Sequence, residues 1–575
     1  MLKKSLSLFC SFVFLWNAVF AQNITQTIHA NWLFRHAGGN GEWYKATVPG
    51  TIHTDLIANH LIDDPFYRDN EQKIQWISTT NWEYTGNFDV SPAILHKPHI
   101  QLVFDGLDTY AEVYFNNNLV LKANNMFRTW TVDVKPFITL QHNVIHIIFR
   151  SAKNITDSLA TDALPLLRPC ENNRHYARKA QYNFGWDWAP TMITCGIWRP
   201  IHIEAFDKFS DREARYMRED SQSGVKKNNV QLVQQKDSIG ESFYFTVNGK
   251  PTFMKGANWV PADVFLPRIT HEKYRNLLIA AKEAGINMLR VWGGGIYEDD
   301  YFYDLCDSLH INIWQEFMFA GAMYPADTAS LENIKQEVID NIRRLRHHPC
   351  IVMWCGNNEI DEGWQNWGWK KGKSPEDSAQ LWDDYKRIFH QLLPQLVKQY
   401  DSRPYITTSP LFGGGHKESL TTADSHIWSV WGGGQPIELY KEKIPRFASE
   451  YGMQAMPNWE TIEQFSLPGD WDTASTVMKV HQKHITGYQN IAVYINQLQL
   501  HPHTFQEYVA ATQEIQSKAL ETAITAHMHA QPRCMGTLFW QFNDCWPVAS
   551  WSVVDYYGRK KKAYYTVQKL YTHQP

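Results

Sequence analysis

Cysteine is scarce: 8 in 575 residues, one of them, Cys10, within the first apolar stretch. The other seven (Cys170, Cys195, Cys306, Cys350, Cys355, Cys534 and Cys545) are odd in number and scattered, and no C-x-x-C occurs. That excludes a disulfide framework and a zinc ribbon, and the thiols read as core residues. Charge of one sign is lacking too. Lys and Arg total 55 against 59 Asp and Glu, a net charge of −4, so no nucleic acid or anionic membrane is expected as partner. The only long apolar run, Leu6 to Val19, falls short of the ~20 residues that a membrane span needs. The glycine runs 293–295, 413–415 and 432–434 lack the Gly-Lys-Ser/Thr of a phosphate loop, and His271-Glu272 has no second His four residues on. No cofactor and no required metal are expected. No internal repeat or low-complexity tract is present.

Lys3 and Lys4 precede the apolar run, and Val19-Phe20-Ala21 follows it, which reads as a signal peptide over 1–21 cut before Gln22. The mature chain is then expected to be secreted or periplasmic, lysosomal if the source is an animal, and free of the membrane. Asn23-Ile24-Thr25 and Asn154-Ile155-Thr156 are glycosylation sequons that matter only in a eukaryotic secretory path. Aromatic residues are abundant, with 24 Trp, 27 Tyr and 29 Phe. Most must be core. Yet Trp clusters in polar strings such as Gly185-Trp186-Asp187-Trp188 and Trp364-Gln365-Asn366-Trp367-Gly368-Trp369. Such rings stack on the C–H faces of sugars, as a concave carbohydrate site requires.

Short alternating runs, such as Ala111-Glu112-Val113-Tyr114-Phe115, recur through residues 22–206 and predict a β-sandwich of jelly-roll type. Residues 207–250 are charged and weakly apolar at first and read as a linker or a reduced immunoglobulin-like remnant. From 251 to 575, strand and helix patterns alternate. Eight strand candidates lie near Phe253–Ala257, Ile286–Val291, Ile311–Glu316, Ile351–Cys355, Pro404–Thr408, His426–Val430, Arg446–Glu450 and Thr537–Phe542. Eight such steps predict a (β/α)8 TIM barrel, with a helical insertion between the seventh and eighth strands.

Two of these strands end in a carboxylate. Trp354-Cys355-Gly356-Asn357-Asn358-Glu359 closes the fourth, and Arg446-Phe447-Ala448-Ser449-Glu450-Tyr451-Gly452 the seventh. Taken alone, a Glu flanking the next helix is an equal reading of the first. Together, two carboxylates across a barrel mouth are the machinery of glycoside hydrolysis, one kept protonated and the other ionised.

Asn358-Glu359 and Ser449-Glu450 resemble the acid/base and nucleophile motifs of glycoside hydrolase family 2. Phe184-Gly185-Trp186-Asp187-Trp188, Gly256-Ala257-Asn258-Trp259-Val260-Pro261-Ala262-Asp263, Arg290-Val291-Trp292-Gly293-Gly294-Gly295 and Phe539-Trp540-Gln541-Phe542-Asn543-Asp544-Cys545-Trp546-Pro547 resemble its β-mannosidase branch over nearly all of the mature chain. The resemblance implies that Glu359 is the acid/base, Glu450 the nucleophile, and Asn358 the partner of the sugar 2-hydroxyl. It places Trp186, Asp187 and Trp188 at the non-reducing end. It makes Trp292, Trp428 and Trp540 the lining of the sugar subsite, with a non-proline cis peptide at Trp540. For each Trp alone, core packing is the stronger reading. The substrate implied is a β-mannoside oligosaccharide, and the oligomeric state is left open. Relatives carry a fuller middle domain and further β-domains after the barrel. The alternatives are another family 2 specificity, β-galactosidase or exo-glucosaminidase, and a non-catalytic glycan-binding relative.

Overall fold

The computed structural model describes residues 23–39, 41–162, 166, 168–170, 172–210 and 229–573. The expected signal peptide lies outside them, as does most of the charged stretch after 210. The first part is built on two antiparallel sheets, with short helices such as Ile52–Ala58 and Ala152–Asp162 between strands. One sheet orders Ile24–Thr27, Ile201–Phe206, His99–Phe104 and Trp130–Asp133. The other runs Tyr44–Lys45, Leu33–His36, Trp82–Phe88, Asn143–Arg150, Tyr110–Phe115 and Asn118–Asn124. Asn143–Arg150 alternates buried and half-buried residues along its length, because successive side chains point to opposite faces. Val113, Phe115, Ile145 and Ile147 fill the interior.

The second part is built on eight parallel strands: β1 Met254–Trp259, β2 Met288–Val291, β3 Asn312–Glu316, β4 Ile351–Cys355, β5 Tyr405–Ile406, β6 Ser425–His426, β7 Ala448–Glu450 and β8 Gly536–Phe539. Their lateral order is β5-β4-β3-β2-β1-β8-β7-β6, so the first strand pairs with the last and the sheet curls round. Every residue of β2 and β4 is buried, as parallel strands covered on both faces require. Helices cover the outer face. Thr270, Asp299 and Asp327 accept N–H bonds at the starts of His271–Glu283, Asp300–Leu309 and Thr328–Leu345, satisfying donors that a helix terminus leaves open. The long connection from β7 to β8 is helical, ending in Phe505–His529.

One expectation needs correction, and one segment gains detail. The sixth strand is Ser425–His426 rather than His426–Val430, because the ladder to β7 shifts register between Ser425 and His426 and the chain then leaves the sheet. The segment read as linker or remnant ends in a three-stranded antiparallel sheet, Val230–Val233, Tyr244–Val247 and Lys250–Thr252. Its Phe243 and Phe245 plug the amino-terminal end of the curled sheet, against Phe447 at ring distances of 5.4 and 6.1 Å, with Phe243 also 5.9 Å from Trp314.

The sandwich is clamped to the helices around the second sheet. Arg178 makes a bidentate bond to Glu337 (2.8 and 2.6 Å), both groups buried. Arg174 donates to the carbonyls of Ala320 and Gly321 at 2.8 and 2.9 Å. Among the described residues no helix is long and apolar enough to cross a membrane. The seven cysteines from Cys170 on are free, five buried and two half-buried.

Candidate active site

Ligands of parallel α/β sheets bind outside the carboxyl ends of the strands. A cavity of about 570 Å³ opens there. Glu359, Glu450, Asn358, Trp292, Trp428 and Trp540 line it from the strand ends, and Trp186 and Asp187 reach it from the sandwich. Trp188, expected beside them, is a correction. It is fully buried and lies outside the lining, stacked on Tyr182 at 5.8 Å with Trp292 at 5.5 Å and Trp540 at 6.3 Å. Its ring supports the Trp floor from beneath. The Trp540–Gln541 peptide is cis.

Two backbone features aim the carboxylates. Glu359 follows β4 in the left-handed region (φ +59°), a conformation that costs a non-glycine residue about 1–3 kcal/mol and persists where the surroundings impose it. Bridges from Asn358 to Ala320 and to Ser409 impose it here, and Glu359 N–H donates to the Ser409 carbonyl at 2.8 Å. Glu450 is the last residue of β7, and all of that strand is buried.

The charge at the mouth is organised by Arg290, on β2 and fully buried. Its guanidinium donates to Glu316 (3.0 Å), to the Asn258 and Asn358 side-chain oxygens (2.6 and 2.7 Å) and to Glu450 Oε1. The Trp428 indole N–H donates to Glu450 Oε2 at 3.2 Å. Burial raises Glu450 above its ordinary range, and Arg290 offsets part of the rise. Glu359 has weaker help. Burial raises its carboxyl to about 7, against smaller opposing effects of Arg290 and Asn358, whose Nδ2 is 3.4 Å away. Burial thus raises both carboxyls, with more compensating contacts on Glu450 than on Glu359.

His426, absent from the candidates read in the sequence, sits between them. Its Nδ1 is 2.7 Å from Glu359 Oε1 and 3.3 Å from Glu450 Oε2, and its Nε2 is 3.1 Å from Ser409 Oγ. Ser409 and Ser449 both donate to Asp424 Oδ2, each at 2.6 Å. A hydroxyl has one proton. Ser409 gives its proton to Asp424, so its oxygen accepts from His426 Nε2–H. Burial holds the imidazole neutral, its pKa near 4, so Nδ1 carries a lone pair. Nδ1 faces both carboxyls and can share one proton with Glu359, the nearer of the two. The chain Asp424–Ser409–His426 thus holds the imidazole between the two carboxyls.

One oxygen of Glu359, one of Glu450 and a ring nitrogen of His426 lie within 4.8 Å of one another. Three such atoms could in number hold a cation, but Arg290 already supplies positive charge here. Asp304, Asp307 and His348 form a second such group, on the flank.

A β-sandwich set against eight parallel strands, with two carboxylates facing each other in a Trp-walled mouth, is the construction of a glycoside hydrolase of family 2. A family model described as the glycosyl hydrolase 2 galactose-binding domain-like module matches residues 32–199. Over 96% of its length the chain is 32% identical to beta-mannosidase B of Thermothelomyces thermophilus, covering 76% of that protein. It is 30% identical to the beta-mannosidase of Mus musculus, with 94% of this chain and 75% of that one aligned. The crystal structure of a beta-D-mannosidase from Dictyoglomus thermophilum superposes with a TM-score of 0.86 at 33% identity, over 95% of this chain and 77% of the other. The chain belongs to the β-mannosidase family.

Proposed function

We propose that the protein is an exo-acting, retaining β-mannosidase that removes terminal non-reducing β-D-mannose from β-mannosides and oligosaccharides. The observation that carries the reading is the approach of Glu359 and Glu450 to within 4.8 Å. Retaining glycosidases hold their carboxyls about 5–5.5 Å apart, whereas inverting ones leave about 6.5–9.5 Å for a water. Glu450, as the carboxylate bonded by Arg290 and Trp428, attacks the anomeric carbon. Glu359, protonated at rest, donates to the departing oxygen. The Glu450–C1 bond forms as the glycosidic bond breaks. The carboxylate left on Glu359 then takes a proton from water, whose oxygen displaces Glu450 from C1, and a β-mannose leaves. Asn358, oriented by Arg290, is placed to bond the 2-hydroxyl, which is axial in mannose. Trp186 and Asp187 close the non-reducing end, which supports exo action.

The cyclic strand order supports a closed (β/α)8 barrel with its seam between β5 and β6, preceded by a sandwich domain over 22–206 and the plug within 207–250. Export after removal of residues 1–21 fits the leader pattern. The test is hydrolysis of an aryl β-mannoside beside the β-galactoside and β-glucoside, with Glu450→Ala as control. Turnover of the mannoside alone, abolished by the substitution, is expected. Equal turnover of the galactoside would favour a different family 2 specificity.

A further inference from the structure

Glu316, the last residue of β3, is a third carboxylate at the charged end, fully buried and outside the cavity lining. Its Oε1 accepts from Arg290 Nε at 3.0 Å and lies 2.9 Å from Nη2. Its Oε2 accepts the Gly293 N–H at 2.8 Å. A Cβ on Gly293 would lie 2.7 and 2.8 Å from the carbonyl oxygens of Phe319 and Phe317 and 3.1 Å from Glu316 Oε2, so glycine lets the amide come this close. Glu316 thus ties Arg290 to the loop that carries Trp292. The Cys355 thiol is its remaining neighbour. Burial raises the pKa of Glu316, and Arg290 and the Gly293 N–H offset part of the rise. A protonated carboxyl needs an acceptor for its O–H, yet the guanidinium and the amide bonded to Glu316 are donors only. Glu316 therefore carries its charge.

Two consequences reach Glu450. The first is aim. A guanidinium is planar, so holding Nε and Nη2 fixes the direction of Nη1. Nη1 then serves Asn258 Oδ1 at 2.6 Å and Glu450 Oε1, while Nη2 serves Asn358 Oδ1 at 2.7 Å. The second is charge. One guanidinium stands between two carboxylates, and two of its nitrogens face Glu316 against one for Glu450. The other ionisable groups around this pair are Glu359 and Cys355 from β4 and its end, Asp424 through Ser449, and His426 on β6. Of all these groups Arg290 alone is a permanent cation.

We infer that Glu316 is a positioning residue for the nucleophile: it aims Arg290 at Glu450 and, by dividing the charge of Arg290, keeps the Glu450 carboxylate more basic than a fully paired one. The inference rests on the reading of Glu450 as nucleophile.

The test uses 2,4-dinitrophenyl β-D-mannoside, whose leaving group departs without a proton, so the acidic limb of kcat/KM reports Glu450 in the free enzyme. In Glu316→Gln the charge is gone and Arg290 is left to Glu450; the limb is expected to move to lower pH by about half a unit or more. In Glu316→Asp the charge remains but stands back from Arg290; the limb is expected to stay with the parent's while the plateau falls about tenfold or more. Glu298→Gln removes a buried carboxylate bonded by Trp259 and Tyr274, outside this network, and is expected to leave the limb in place. Thermal melting follows the folding of each variant. A limb that stays or rises in Glu316→Gln, or falls equally in Glu298→Gln, would overturn the inference. So would an unchanged plateau in Glu316→Asp, which decides alone if Glu316→Gln does not fold. Turnover that survives in Glu450→Ala would sink the nucleophile assignment itself, and the role of Glu316 with it.

Discussion

The two ends of the curled sheet are made by the same strands and do opposite things. On β2, Met288 belongs to the apolar plug and Arg290, two residues on, to the carboxylate network. On β3, Trp314 and Glu316 divide in the same way, as do Leu538 on β8 and Trp540 just past its end. Side chains two apart share a face and sit about 6.6 Å apart along the strand, so a single step separates an oil-like interior from a cluster of buried charge. The apolar end needs no partner beyond the Phe243–Phe245 hairpin. At the charged end Arg290 and Trp428 donate to Glu450, Arg290 to Glu316, and the hydroxyls of Ser409 and Ser449 to Asp424. Stability is concentrated at one end, and chemistry, with its strained Glu359, at the other.

Substitutions can break that contrast. The largest effect is expected from Glu450→Gln, which leaves the fold and lowers kcat on the order of 10⁴-fold or more, as loss of a nucleophile does; steady-state kinetics beside circular dichroism checks it. Next come Arg290→Met and Phe243→Ala, one at each end. Each is expected to cost about 3–5 kcal/mol in denaturant unfolding, the first by leaving Glu316 and Glu450 unpaired, the second by opening a cavity. Only Arg290→Met should abolish turnover under conditions where both variants are folded. Equal loss of activity in the two would erase the division of labour.

pH sharpens it further. As the proposed acid Glu359 must be protonated, so kcat/KM is expected to fall as pH rises through about 7, tenfold per unit beyond. The folded state binds that proton, while the unfolded chain releases it near 4.5. This group's contribution to stability is therefore complete below about 4.5 and lost as pH rises through about 7. The smallest effect belongs to Ser409→Ala. Without the Ser409 acceptor, the imidazole can move its proton to Nδ1 and donate to ionised Glu359, so the basic limb should move to lower pH by about one unit, roughly the value of one hydrogen bond. An unmoved limb would remove the Asp424–Ser409–His426 chain from the mechanism.

Much of this was legible in the chain. Eight strands stood out because each is a short apolar run before a helical pattern, and Glu359 and Glu450 because a buried run ended in charge. The bounds of β6 were not, since a register shift leaves no mark in composition. The plug was hidden because charged residues precede its Phe243 and Phe245. Trp188 was misplaced because the resemblance carried it along with its neighbours, whereas only Trp186 and Asp187 of that string face the cavity. His426 was passed over as one histidine beside apolar residues. Arg290 carried a usable signal: a charge inside Met288-Leu289-Arg290-Val291 must be paired where both faces are buried. Its partners, brought from β3 and β7, could be found only in three dimensions.

The most direct test of the central claim is trapping with 2-deoxy-2-fluoro-β-D-mannosyl fluoride, followed by peptide mass spectrometry. Its fluorine slows release of the covalent intermediate more than its formation. A single fluoromannosyl adduct on the peptide holding Glu450, absent in Glu450→Gln, is expected. An adduct on Glu359, or no adduct together with first-formed α-mannose from a β-mannoside, would contradict the assignment of Glu450 as nucleophile of a retaining enzyme.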